Sequence, residues 1–270
     1  MAMKLGLIGC GKMATALVKG AIQAGVVNPS EVVATSRSQA SRDAFAAETG
    51  AKTSDLAGVL ATSEVILLCP KPQDIPAALE QIRSVPQSGE GALIISIAAG
   101  VTAKTMEDGL PDQFRVIRSV PNTPSLVGCG AAAYCLGADA TEDDAALAQR
   151  LLGAVGVALR VPEKLINAVT GVSGSGPAYV YLLIEALADG GVKAGLSRAD
   201  AIQLSAQTFL GAATMVLETG EHPAVLKDKV ASPAGTTIAA LASLEKNGAR
   251  SAMIQAVEAV VQRANELGGK

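Results

Sequence analysis

The chain has 270 residues, 49% hydrophobic and 17% charged, with net charge −3, no Trp and only three Phe and three Tyr. That length and apolar share exclude a disordered or fibrous chain and predict one large or two ordinary domains around an aliphatic core. Acids and bases are interspersed, with no basic stripe and no charged tail, so nucleic acid is excluded as an expected partner.

In chain order, the opening "MKLGLIG" is too short an apolar stretch for a signal peptide and runs into a Gly-rich turn. "KLGLIG", "EVVATS", "EVILLCP", "ALIISIAAG", "RVIRSVPN" and "VALRVP" read as strands. They are continuously apolar rather than alternating, as a parallel sheet covered on both faces requires. Helices are predicted between them over 12–25, 40–49, 74–84, 102–109 and 141–153. This βαβ rhythm makes residues 1–162 an α/β, doubly wound domain. Beyond Pro162 the strand signals stop. "AYVYLLIEALADGGVKAG" reads as a helix ending at Gly190 and Gly191, which can supply a left-handed cap. Ser197 with Asp200 opens the next helix, which ends at Gly220, and a last helix covers 249–266. Residues 163–270 therefore form an all-helical domain. The uncharged run "LINAVTGVSGSGPAYVYLLI" is broken by Gly and Pro, so no membrane span is expected and the predicted location is cytoplasmic. Helices this apolar need more cover than one chain supplies, which predicts a homodimer through the helical domain.

"GLIGCGKMA" places Gly9, Gly11 and Ala14 as G-x-G-x-x-A after the first strand and before a helix. Gly9 permits the tight turn, Gly11 lets backbone approach a pyrophosphate, and Ala14 allows close packing. The anion sits on the helix N-terminus, where free N–H groups and the dipole favour it. An NAD-specific site usually has an acid at the second strand's end. Here Thr35, Ser36, Arg37 and Ser38 stand there, and hydroxyls with a guanidinium suit a 2′-phosphate. NADPH is the expected cofactor, with NADH possible. Further strand ends carry "CPKPQ" (69–73), "SIAAG" (96–100) and "VPNTP" (120–124). Ala98 and Ala99 leave room for a flat ring, Lys71 is a candidate for the nicotinamide side, and Asn122, between two stiffening prolines, is a further cofactor-binding candidate or else the cap of a turn.

The four cysteines Cys10, Cys69, Cys129 and Cys135 form no CxxC pair and have no His nearby, so free thiols and no metal site are expected. His222 reads as a loop residue before Pro223. Glu185 and Asp189, four apart on one helix, read as structural groups. "SGSGP" (173–177) reads as a packing joint and helix start with Pro177 in the first turn.

"GCGKMA" with "VPNTP", then "TGVSGSGPAYVY" (170–181), then "LKDKVASPAGTTIAALASLE" (226–245) together resemble pyrroline-5-carboxylate reductases over essentially the whole chain. The resemblance implies an N-terminal Rossmann domain, a helical C-terminal dimerisation domain, and dimers that assemble further, commonly into decamers. It implies reduction of 1-pyrroline-5-carboxylate, a cyclic imino acid, to L-proline with NADPH or NADH. It also implies that Ile8, Gly9, Cys10, Gly11, Lys12, Met13, Ser36, Cys69, Pro70, Lys71, Pro72, Ile97, Ala98 and Ala99 touch the cofactor, and that the stretch from Ser232 to Thr237 binds substrate. In the family the segment 173–177 adjoins the active site, which makes Ser175 a candidate substrate-binding residue. The family usually has Gly where Ala234 stands and a small aliphatic residue where Pro70 stands; the first departure bears on a backbone conformation with positive φ.

For the stretch "SPAGTT", the substrate carboxylate needs donors, which a helix start presents as unpaired N–H groups. Gly235 allows close approach, Ser232 and Thr236 add hydroxyls, and Thr237 is the candidate partner of the imine nitrogen. Two other readings compete: another NADP-linked imine or hydroxyacid oxidoreductase with the same two-domain plan, which needs a catalytic lysine near the domain boundary, where Lys164 stands without a matching motif around it, and a nucleotide-binding regulator without catalysis, against which the intact G-x-G turn and Thr237 speak.

Overall fold

The computed structural model describes residues 3–86 and 91–267. The chain divides into two compact units: Met1–Ser175 with Ala259–Lys270, and Gly176–Glu258. This division falls after Ser175, later in the chain than the end of the strand signals.

The first unit is built on an eight-stranded sheet of order β3-β2-β1-β4-β5-β6-β7-β8. Its strands are β1 Leu5–Ile8, β2 Val32–Thr35, β3 Lys52–Thr53, β4 Val65–Leu68, β5 Leu93–Ser96, β6 Arg115–Val120, β7 Gly130–Leu136 and β8 Gly156–Arg160. All neighbours are parallel except β6 and β7. Its helices are α1 Lys12–Gln23, α2 Gln39–Thr49, α3 Leu56–Thr62, α4 Ile75–Ser84, α5 Ala103–Gly109, α6 Glu142–Gly153 and α7 Ile166–Val169. The six runs read as strands are all present, and β3 and β7 are additions to them. β7 is the Ala-rich "GAAAYCL". Alanine has little strand preference, and pairing with β6 and β8 on either side overrides it.

The central strands β1, β4 and β5 are buried along their whole length. Alternate residues serve opposite faces. Leu5, Leu7, Leu67 and Ile95 join Leu17 and Val18 of α1 and Leu151 of α6 in one core. Ile66, Leu68 and Ile94 join Ile75 and Ile82 of α4 and Met106 of α5 in the other. Each such side chain contributes about 1.5–3 kcal/mol by leaving water.

The second unit contains α8 Gly176–Lys193, α9 Arg198–Thr219, α10 Pro223–Val230 and α11 Thr236–Lys246; α12 Ala249–Leu267 belongs to it as far as Glu258. α8 does not stop at Gly190 and Gly191. It continues to Lys193, and the left-handed turn is made by Gly195 at φ +106°. Gly191 serves packing instead: a Cβ there would come within 3.2–3.3 Å of Leu196 and Ala201, at the joint between α8 and α9. Much of the apolar surface of this unit has no cover in the single chain, as at Leu182, Leu204, Leu210 and Leu217, the last 78% exposed. Among the described residues no helix is long and apolar enough to cross a membrane.

Candidate active site

In the first unit the carboxyl ends of the parallel strands lie side by side. Ile8 pairs with Thr35 and with Leu68, Leu68 with Ser96, and Ser96 with Arg118. The order along this edge is therefore Ser36–Arg37 after β2, Gly9–Met13 after β1, Cys69–Pro72 after β4, Ile97–Ala99 after β5 and Asn122 after β6. β1 and β4 flank the point where strand order reverses, the place where such sheets bind ligands.

Gly9 has φ +101°, and a Cβ on it would lie 3.1 Å from the Cys69 carbonyl carbon. Nothing lies within 4 Å of the Cβ position of Gly11. Gly11 is also the N-cap of α1, with no side-chain cap and no acid in the first turn. The N-terminal N–H groups of α1 thus face open space without a competing acceptor, which fits a dinucleotide pyrophosphate. The Cys10 thiol donates to the Thr35 carbonyl at 3.5 Å. Burial raises it to about 11 against the opposing pull of Arg42, and burial raises Cys69 as well. Both thiols are neutral at physiological pH and add no negative charge beside an anion.

Ile8, Gly9, Cys10, Gly11, Ser36, Arg37, Pro70 and Lys71 line one groove with Leu56 of α3 and Ala77 and Ala78 of α4. Lys12 and Lys71 are exposed, and Met13 is partly buried against the core. Pro72 opens the 3-10 turn Pro72–Asp74. Of the β5 end, Ala98 is buried in the core beneath α4 and α5, Ala99 is exposed, and the Ile97 N–H is held by the Leu68 carbonyl at 3.1 Å. Asn122 is buried with its amide occupied: it donates to the Ser173 carbonyl at 3.0 Å and accepts from the Ala131 N–H at 2.9 Å. It ties the β6 end to the π-helical turn Thr170–Gly174, which leads to Ser175 and the start of α8. Sequence reasoning missed one residue that lines the groove and one that holds its wall from behind. Asp74 lines the groove and pairs with Arg37, and Arg42 donates to the carbonyl of Ser36 and to Gln39. Sequence separation hid the first: the partners are 37 positions apart.

The second unit contains Ser232–Thr237. The Gly235 N–H donates to the Ser232 carbonyl at 3.1 Å, closing a turn with Pro233 second and Ala234 third. Ala234 has φ +55°, the only positive φ outside glycine among the described residues. Pro second and positive φ third make this a type II turn. Gly235 has an ordinary φ of −79°, but a Cβ there would meet Ser232 Oγ at 2.2 Å. Its smallness is steric. Gly235 caps α11 without a side-chain bond, leaving the first N–H groups of that helix free. Among the described residues no partner is found for the Ser232, Thr236 or Thr237 hydroxyl; Ser232 and Thr236 are exposed and Thr237 is partly buried.

Other polar groups have structural duties. His222 caps α10, its Nδ1 accepting from the Ala224 N–H at 3.2 Å. Asp189 pairs with Arg198 at 2.5 Å. Lys164 is exposed on a 3-10 turn. Among the described residues no group of three or more His, Cys, Asp or Glu is arranged to hold a metal ion.

A family model described as pyrroline-5-carboxylate reductase dimerisation matches residues 163–267, and one described as NADP oxidoreductase, coenzyme F420-dependent, matches residues 4–100. The chain is 44% identical to a pyrroline-5-carboxylate reductase of Methanosarcina acetivorans over 99% of this chain and 98% of that one. Among solved structures, it is similar to a pyrroline-5-carboxylate reductase of Coxiella burnetii with TM-score 0.93 and 36% identity, covering 99% of both chains. The Plasmodium falciparum pyrroline carboxylate reductase with NADP bound has TM-score 0.84 and 30% identity, covering 98% of both. The chain belongs to the pyrroline-5-carboxylate reductase family.

Proposed function

We infer that the chain reduces 1-pyrroline-5-carboxylate to L-proline with NADPH, NADH being the weaker alternative. The observation that carries this reading, beside family membership, is the turn before α11: free helix N–H groups next to three hydroxyls without a partner among the described residues, with no acid in the helix's first turn. The first N–H groups of α11 and the Ser232 and Thr236 hydroxyls bind the carboxylate, and Gly235 lets the ring come close. Thr237 holds the ring nitrogen. That nitrogen takes its proton from water to become the iminium electrophile, so no strong side-chain acid is required. The reduced dinucleotide supplies a hydride to the C=N carbon, and the nitrogen lone pair is restored as the amine of proline. The protein's contribution is orientation and proximity, worth up to about 10 kcal/mol.

In this reading Ile8–Met13 hold the pyrophosphate, Ser36 and Arg37 the 2′-phosphate, and Cys69–Pro72 and Ile97–Ala99 the nicotinamide side. Asn122 acts by fixing the segment that carries Ser175, through the bonds described above. Functionally the chain divides into a cofactor part, 1–162, and a substrate and dimerisation part, 163–270. The match to a dimerisation domain supports a homo-oligomer, and the bare apolar helices support a dimer built through them. Further assembly into a decamer and a cytoplasmic location belong to the same proposal. Purified protein is expected to oxidise NADPH when given pyrroline-5-carboxylate, followed by loss of cofactor absorbance, and to leave it untouched with 2-hydroxyacids or their keto forms. Turnover with a keto acid and none with the cyclic imine would reject the reading.

A further inference from the structure

In doubly wound domains a carboxylate after β2 commonly takes the ribose 2′-hydroxyl of NADH, and a guanidinium there takes a 2′-phosphate. After β2 this chain has Ser36 and Arg37, which speak for the phosphate alone. The groove itself contains both signs. From the opposite wall, the 3-10 turn after β4 brings Asp74, and its Oδ2 lies 3.1 Å from Arg37 Nη2. Among the described residues Asp74 is the only acid lining this groove, which also carries Lys71. The carboxylate is not occupied as a helix cap: it makes no cap bond to α4. Its side chain is 29% exposed against 79% for Arg37, so the acid is the more buried member of the pair. The contact joins single atoms, leaving most of the five donors of Arg37 free.

We propose that Asp74 is a specificity-determining residue that narrows the preference for NADPH over NADH. This rests on the reading of the β2 end as the ribose site. A 2′-phosphate bound by the free donors of Arg37 lies beside the like charge of Asp74, which costs it part of what the guanidinium gives. A 2′-hydroxyl meets no such penalty, and it can donate to the carboxylate. The pair is exposed at its Arg end, so a cofactor breaks it at little cost. Asp74 thus supplies, from another crossover, the acid that the β2 end lacks.

The test is the dissociation constant of NADPH and of NADH, by quenching of cofactor fluorescence, for the wild type, Asp74→Asn and Arg37→Ala. Asp74→Asn keeps the shape and removes the charge; Asp74→Ser is the second variant should the first misfold. The expected result is a shift in the NADH-to-NADPH ratio of dissociation constants towards NADPH by about twofold to fivefold, the size of one exposed charge contact. A shift below twofold, or one towards NADH, overturns the proposal. Arg37→Ala separates this from failure of the underlying reading. If Arg37→Ala weakens NADPH more than NADH while Asp74→Asn leaves the ratio alone, only the role of Asp74 falls. If Arg37→Ala affects both cofactors equally, the β2 end is not the 2′ site and both fall together.

Discussion

Ala234 occupies the third position of a type II turn at φ +55°, where a Cβ crowds the backbone. An L-residue held there costs roughly 1–2 kcal/mol. Glycine would remove that cost but has a floppier unfolded chain, worth about 0.4–1 kcal/mol in the other direction. Strain wins, so Ala234→Gly is expected to raise stability by about 0.5–1 kcal/mol, read as an upward shift of the urea midpoint. A fall of similar size would show that the turn does not hold this conformation in solution. At the next position the logic reverses. Gly235 has an ordinary φ, so a larger residue there meets no backbone strain but must push the Ser232 hydroxyl aside and crowd its carbonyl.

Among elements, α6 is locked to β6 through one carboxylate. Asp144 closes the capping box with Thr141 and takes two hydrogen bonds from Arg115, at 2.8 and 3.0 Å. Burial opposes its ionisation, but the bonds from Arg115 and Thr141 outweigh it and hold the carboxyl below its ordinary 3.8. A depressed folded-state value means that this stabilisation is complete above pH 3.8 and is lost as pH falls through the lower, folded value. Asp144→Asn is expected to lower stability by about 1–3 kcal/mol at neutral pH. Its deficit should shrink as both proteins are unfolded at successively lower pH below 3.8. A deficit constant down to the acid limit would contradict the ion pair as its source. Asn122 performs a similar service without charge, joining the β6 end to the π turn before α8.

At the scale of the whole molecule, much was legible because it rests on local rules. The G-x-G-x-x-A turn, the six strand runs and the change to helices all follow from residue order and periodicity, and so does the unusual composition of 232–237; the cover expected on both faces is missing at the edge strand β8, where Val157 and Leu159 are exposed. What was not legible depends on distant pairing. β7 has no strand-like composition and exists because two neighbours pair with it. The ion pair of Arg37 with Asp74 and the bonds of Asn122 join residues far apart in the chain, so no spacing rule announces them. Gly190 and Gly191 looked like a helix end, but the approach of α9 explains Gly191 and no left-handed turn forms there. The helical unit remains largely bare in the single chain, which makes association part of the folded state. The claim on which the functional account depends is that the start of α11 grips the imine through Thr237. Steady-state kinetics of Thr237→Val with pyrroline-5-carboxylate, run beside the NADPH dissociation constant, tests it most directly. The account predicts that kcat/KM falls by at least about tenfold while NADPH affinity stays the same; unchanged turnover, or a loss traced wholly to NADPH binding, would contradict it.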